Sequence, residues 1–318
     1  MISFPFRVAA KYAMPGGTAG RFQIFIFHRV LDSPDVLFPD AEPDIYRFDR
    51  IVKAISAVYN LLSLDDAVVR LQNGTLPDRA ACITFDDGYL DNYLNAFPIL
   101  QKYKAPATIF IATRFMQGEI MWNDRIIEAV RSFAGVFELP ELGIKKTDCS
   151  SISCKRDVIH ALIDKVKYMS PEARLGSVTD IESLTGFVQK ERMMMCEEEI
   201  RALRKKGVLI GAHTQSHPIL ATLDDAESRR EISGSKSDLE AVLGESVTSF
   251  AYPNGRYGRD YDKRHTELVE KLGFEFAVST NHGIAAKDSS LYELPRFTPW
   301  DVSLAKFMAR NIYMMMKG

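Results

Sequence analysis

Ala81–Tyr89 reads ACITFDDGY, and this stretch decides the fold. Cys82, Ile83 and Phe85 form a short unbroken run of β-formers, the pattern of a strand buried on both faces of a parallel sheet. The run stops at two adjacent carboxylates, Asp86 and Asp87, followed by Gly88. α/β folds place their chemistry at the carboxyl ends of such strands, so both acids fall at a candidate site. Neighbouring strand residues point in opposite directions. The twist at a strand's end can nevertheless let two adjacent acids serve one site differently, one holding a metal and the other handling a proton. A strand closed by an Asp-Gly turn accounts for the dipeptide alone. A second stretch, VLIGAHTQSHP over Val208–Pro218, shifts that balance.

The same strand–helix rhythm runs outward from the quoted stretch. Before it lie a buried strand over Gln23–Val30 that ends on His28, a loop rich in Asp and Pro, and a helix over Arg47–Tyr59. The apolar residues of that helix, Phe48, Ile51, Val52, Ile55 and Val58, recur at helical spacing. A short strand at Asn60–Leu64 and a helix from Asp65 follow; Asp65 and Asp66 suit its first turn better than a catalytic role. After the quoted stretch come a helix over Asn92–Tyr103, kinked or restarted at Pro98, and the strand ATIFIA over Ala107–Ala112. The rhythm resumes with strands at Val208–Ala212, Val247–Tyr252, Phe274–Thr280 and Leu291–Phe297. Helices at Asp224–Leu243, Asp262–Leu272 and Leu304–Met316 alternate with them, and Arg229, Arg230 and Glu231 read as a solvated face. About seven to eight parallel strands alternating with helices predict an α/β fold closed, or nearly closed, into a distorted barrel. Between Thr113 and Glu198 the alternation stops, and this stretch reads as a mostly helical insertion within a single domain over 1–318. Insertions on the catalytic side of a sheet commonly wall a substrate cleft.

The chain has 318 residues, 46% hydrophobic and 26% charged, with a formal net charge of −2. That size suits one large α/β domain, and no basic field points to nucleic acid. No apolar run approaches the ~20 residues that span a bilayer. The first seventeen residues lack the charged start and unbroken apolar core of a secretory signal. Four cysteines in this length make no disulfide framework, and reduced thiols are the favoured reading. A cytoplasmic location is expected, with peripheral membrane association compatible; the oligomeric state is left open.

His213 and His217 flank Thr214–Ser216 directly after an apolar strand. Two imidazoles four residues apart converge on one ion if the chain curls there. With Asp87 they make a His₂–carboxylate set that leaves a position open for water. The two motifs together resemble those of the polysaccharide deacetylases of the NodB-homology type, carbohydrate esterase family four. TFDDG stands at Thr84–Gly88 and H-[ST]-x-x-H at His213–His217, in the family's order. The resemblance covers the framework from about Gln23 to Phe297, without the insertion. It implies a distorted barrel and metal-dependent removal of an acyl group, usually acetyl, from an amino sugar of a polysaccharide or glycan precursor. It further implies that Asp87, His213 and His217 hold the metal and that Asp86 is the general base. Zinc fits these ligands first, and cobalt, nickel or manganese would also fit.

The chain departs from the family pattern in three places. In FAYPNG, Ala251 stands where an arginine usually orients the base, and Arg296 of LPRF is the candidate replacement. The turn itself is kept, so Tyr252 and Asn254 remain candidates for substrate binding, with the Asn254 N–H as an oxyanion donor. The closing motif has no histidine; His28, in FHRV, resembles the acid histidine that some members carry on the first strand, and His282 competes for that role or lines the cleft. The insertion is the third departure, and its Trp122 and Asp124 are candidates for contact with a sugar. Two other readings stay open: hydrolysis of a different carbon–nitrogen bond, as in deformylases and cyclic amide hydrolases, and carbohydrate binding with weak catalysis.

Overall fold

Alternate strand residues face opposite sides, and here one side is the lumen of a barrel. The computed structural model describes residues 3–299 and 301–317. In chain order its elements begin with α1 (Ser3–Ala13), β1 (Arg21–Phe27), α2 (Ile45–Val58), β2 (Asn60–Leu61), α3 (Leu64–Asn73) and β3 (Ala80–Phe85). Next come α4 (Phe97–Lys102), β4 (Ala107–Ile111), α5 (Trp122–Ser132), β5 (Val136–Leu139), β6 (Ile144–Asp148), α6 (Ile152–Val166) and α7 (Pro171–Thr185). The chain then continues through α8 (Glu197–Lys205), β7 (Leu209–Ala212), α9 (Asp225–Leu243), β8 (Ser249–Ala251) and α10 (Lys263–Lys271). It ends with β9 (Phe276–His282), β10 (Ala285–Ala286), β11 (Leu294–Arg296) and α11 (Leu304–Lys317). The parallel order is β1-β3-β4-β7-β8-β9-β11. Phe297, just past β11, closes the ring on β1: its N–H donates to Ile24 O at 2.8 Å and its carbonyl accepts from Ile26 N at 3.0 Å. The expected α/β barrel is therefore the observed one.

Phe22, Ile24, Cys82, Phe110, Phe276, Val278 and Leu294 pack inside the barrel. Their strand neighbours Phe25, Ile83, Phe85, Ile109, Ile210, Phe250 and Ala277 face out against the helices. By the same alternation Thr84, Asp86, Gly211 and Arg296 face in, and all the parallel strands deliver their carboxyl ends to one rim. Pro98 acts as its missing N–H requires. Before it the chain makes a π turn over Asn92–Ala96, in which Phe97 N–H reaches Asn92 O, and α4 restarts with Pro98 in its first turn.

Three features differ from the sequence expectation. The stretch Thr113–Glu198 is not only helical: β5 and β6 pair as an antiparallel hairpin that shares a separate small core with α5, α6 and α7. α1 forms at the start of the chain, and β10 adds antiparallel to β1. Among the described residues no helix is long and apolar enough to cross a membrane.

Gly211 faces the lumen, where a Cβ would overlap the Phe110 ring and the Ser249 hydroxyl. Overpacking of this kind costs about 1–3 kcal/mol. Gly211→Ala is expected to lower the unfolding free energy by that amount, read as a lower urea midpoint with an unchanged m value; a stability equal to wild type would show that the lumen has slack.

Candidate active site

The site is built where β3 and β7 run out. Asp86 N donates to Phe27 O at 3.0 Å, so the strand pairing extends to it and its side chain stays inside the lumen. At Asp87 the backbone switches to the left-handed region, φ 75°, a conformation Asp tolerates better than most residues. Gly88 follows at φ 89°, with the Ile111 side chain too near for a Cβ. The switch swings the Asp87 carboxylate over the strand end, so neighbours that would otherwise point apart serve one cleft.

β7 ends similarly. His213 N donates to Ile111 O at 3.0 Å, then Thr214 and His217 take φ values of 63° and 54°. Thr214 Oγ1 accepts His217 N–H at 3.1 Å. From α9, Glu231 accepts the N–H groups of Gln215 and Ser216 at 2.9 and 2.8 Å and the Ser216 hydroxyl at 2.6 Å. This curl brings the two imidazoles to a centroid separation of 4.9 Å. His213 Nε2 and His217 Nε2 lie 3.4 and 3.3 Å from the same oxygen, Asp87 Oδ1. One ligand atom from each of these three residues falls within 4.8 Å of the others.

The donor set fits a cation. His213 Nδ1–H donates to Ala251 O at 2.7 Å, which fixes the tautomer and leaves the Nε2 lone pair facing Asp87. Asp87 Oδ1 is buried with no hydrogen-bond partner among the described residues, so lone pairs face one another across the centre. Burial pushes the His217 imidazole down to about 4 against the pull of Asp87, leaving it neutral at neutral pH as a ligand must be.

Asp86 is outside this set and held differently. Burial alone would raise its pKa, but the Arg296 guanidinium, and after it His213, hold the carboxyl below the usual range. Arg296 Nη1 and Nη2 donate to the two Asp86 oxygens at 2.7 and 2.6 Å. Its Nε donates to Ser279 O at 2.8 Å and Nη1 also to Thr84 Oγ1 at 3.2 Å. The guanidinium itself has no exposure. It reaches Asp86 across the lumen, in a chain whose Ala251 has no side chain to do so.

A cleft of about 580 Å³ opens above these groups. His28, His282 and Asn254 line its barrel side, Asn254 at φ 58° in the turn after β8. Trp122, Asp124, Lys167 and Tyr168 line the opposite wall, supplied by the insertion. Tyr252 does not reach the cleft: it is fully buried among the outer helices, stacked on Tyr261 at 3.8 Å, with its hydroxyl donating to Tyr292 O. It follows Ala251, which faces the lumen, so alternation turns it outward. Glu231 corrects a second expectation; it is half-buried and holds the histidine loop instead of joining a solvated face. Sequence reasoning also missed Tyr89, whose hydroxyl donates to Asp124 at 3.0 Å, and Asp91, which pairs with Arg29 at 2.8 Å and accepts Val30 N–H at 2.9 Å. The polar run Tyr89–Asn92 after the acid pair was their only signal.

Fold and site define a class, the α/β barrels that carry an Asp-Asp strand end opposite a paired-histidine loop. This chain belongs to the polysaccharide deacetylase family, whose family model matches residues 73–134 and 182–277. YxkH of Bacillus subtilis, named for the polysaccharide deacetylases, is 24% identical over 239 residues, 75% of this chain and 58% of that protein. A poly-β-1,6-N-acetyl-D-glucosamine N-deacetylase of Staphylococcus epidermidis is 25% identical over 177 residues, 52% of this chain and 58% of that protein. The chain thus spans 58% of the length of each of these relatives. The structure of the Streptococcus pyogenes deacetylase PplD in complex with acetate superposes with a TM-score of 0.58 at 21% identity, covering 88% of this chain and 93% of that one; it shares the fold.

Burial drives the Asp124 carboxyl up to about 7, against Arg29 and the Tyr89 hydroxyl and with help from Asp87. Between the usual carboxylate range and about pH 7 the folded protein keeps a proton here that the unfolded chain has released. Stability from this group is therefore present at low pH and lost as pH rises through that window. Asp124→Asn is expected to flatten the fall in urea midpoint between about pH 4 and about pH 7; an unaltered slope would place the proton elsewhere.

Proposed function

We propose that this protein is a metal-dependent hydrolase that removes an N-acetyl group from an amino sugar of a polysaccharide or glycan precursor. The observation that carries the reading is the division of labour at the strand end. Asp87, His213 and His217 turn their lone pairs on one point, while Asp86 stands beside them, ionised and gripped from behind by Arg296. A binding protein has no use for a second oriented carboxylate next to a ligand set.

Asp87, His213 and His217 would hold a divalent cation, zinc first among those the donors suit. Bound there, such an ion lowers the pKa of water toward ~7 and polarises an acyl oxygen. Asp86 accepts the proton of the attacking water, since Arg296 occupies its rear and keeps it charged at neutral pH. Asn254, in its left-handed turn, offers a backbone N–H toward the acyl oxygen. His28 protonates the leaving amine. It lines the same cleft as Asp86, Asp87 and His217, as His282 also does. Asn92 Nδ2 fixes the His28 backbone by donating to its carbonyl at 2.7 Å. The half-buried Trp122, packed under Arg174 at 5.0 Å, offers a ring edge to a sugar.

Acetate release from N-acetylglucosamine oligomers tests the reading directly. Asp86→Asn is expected to keep the metal, by elemental analysis, while kcat falls by about a hundredfold or more. His213→Ala is expected to lose metal and activity together. His28→Ala is expected to slow turnover by about a hundredfold with metal retained. If His282→Ala does this instead, the acid assignment moves to His282. Full activity of Asp86→Asn would remove the base assignment, and turnover of formylated or cyclic amides in place of acetylated sugars would move the substrate.

A further inference from the structure

The insertion and the loop after β8 bring three cations to one wall of the cleft. Lys167 follows the last turn of α6, and Arg256 and Arg259 lie in the loop that precedes α10. One acid stands among them, the buried Asp260. Its oxygens are already taken: Oδ2 accepts Arg256 N–H at 3.0 Å and Oδ1 accepts the Tyr168 hydroxyl at 3.3 Å. Among the described residues none of the three cations makes an ion pair. The other two cations of the cleft do: Arg29 pairs with Asp91 at 2.8 Å, and Arg131 pairs with Asp35 at 2.6 Å.

Tyr168 organises the group. The Arg259 guanidinium lies 5.1 Å from its ring centre and the Lys167 ammonium 5.8 Å from the same centre. Both charges thus lie against the same aromatic ring. Lys167 registers this. Burial first pushes its pKa down; Asp260 pulls it back, and Arg259 and Arg256 push it down again. A protein surface relieves such crowding with a carboxylate or by turning the side chains to water. Here Arg256 and Arg259 are exposed and Lys167 is half-buried, all three line the cleft that also holds Asp86 and Asp87, and no carboxylate among the described residues pairs with them.

We propose that Lys167, Arg256 and Arg259 form a subsite for an anionic substituent of the glycan, a phosphate ester joined to the amino sugar. Phosphate suits it because two guanidinium forks and an ammonium offer more donors than a single carboxylate can accept. The two sides of the subsite come from different parts of the chain, so the insertion serves to complete it. The assignment of the ligand as a sugar rests on the deacetylase reading above.

The test uses the full chain loaded with zinc. Deacetylation of N-acetylglucosamine 1-phosphate is compared with that of methyl N-acetylglucosaminide, at about 0.02 M and about 0.2 M salt. Calorimetry measures binding of both sugars and of inorganic phosphate. The phosphorylated sugar is expected to be preferred by about tenfold in kcat/KM and in affinity at low salt. The preference should shrink at high salt as the exposed charges are screened. Arg259→Ala and Lys167→Met should each cut the ratio by about threefold. A ratio near one in the unaltered protein overturns the proposal, as does a ratio that survives both substitutions together. Inorganic phosphate bound as tightly as the sugar phosphate also overturns it, since the wall would then hold a free ion. Failure of the deacetylase reading has its own signature. Neither sugar would lose acetate, yet the affinity preference and its loss in the variants would persist and uphold the subsite.

Discussion

The Asp86–Arg296 pair inside the barrel is the constraint on which the site depends. Taking two charges into the lumen is costly, and an ion pair in such surroundings repays that cost only with near-ideal geometry and every remaining donor satisfied. Both conditions hold: the contact is bidentate, and Arg296 spends its other donors on Ser279 O and Thr84 Oγ1. Breaking such a pair leaves a bare buried charge, at about 3–5 kcal/mol. The pair therefore fixes the Asp86 carboxylate in one orientation. It also ties β3 to β11, strands far apart in sequence that are not neighbours around the ring. Rigidity of the barrel and placement of the Asp86 carboxylate are the same interaction.

That arrangement explains why Ala251 is tolerated where the family commonly has arginine. The lumen is a shared volume, and a guanidinium can enter it from any strand whose inward register faces Asp86. β11 supplies it through Arg296, which shares the inward side with Leu294. β8 then keeps a different duty, since the Ala251 carbonyl fixes the His213 tautomer. A backbone carbonyl does this for any side chain, so the position can lose its arginine without disturbing the imidazole.

Much of the framework was legible because its signals are local. Apolar runs ending on acids or histidines announced β3 and β7, and helical spacing announced α2 and α9. Arg296 was legible only by elimination, as the one cation at the last strand's end. What escaped depends on contacts the sequence does not encode nearby. Glu231 sits on a charged helical face, and only the fold turns it toward the loop at Gln215 and Ser216. Tyr252 was misplaced because one residue of alternation separates lumen from outer core, and the strand there is only three residues long. The β5–β6 hairpin has two short strands, VFEL and IKKTD, whose β-formers are interrupted by charged residues, and its pairing is supported by the insertion's own core. The curl of His213–His217 could be required from the spacing, but its two left-handed residues could not be foreseen at Thr214 and His217.

The insertion's separate core bears on how the cleft works. Its apolar residues, among them Ile126, Phe137, Ile159, Leu162 and Val178, pack with one another and with Leu37, apart from the barrel core. A unit with its own core can present a wall without deforming the sheet beneath it. The distances among the acids and imidazoles are set below, where lumen packing and the Asp86–Arg296 pair leave little freedom. The cleft wall is set above, where Trp122, Asp124, Lys167 and Tyr168 meet residues of the β8 loop. The two tasks therefore rest on different interactions. Changes in the wall can therefore reshape the cleft while leaving the acids and imidazoles where the barrel puts them, which is how one strand framework can carry different sites.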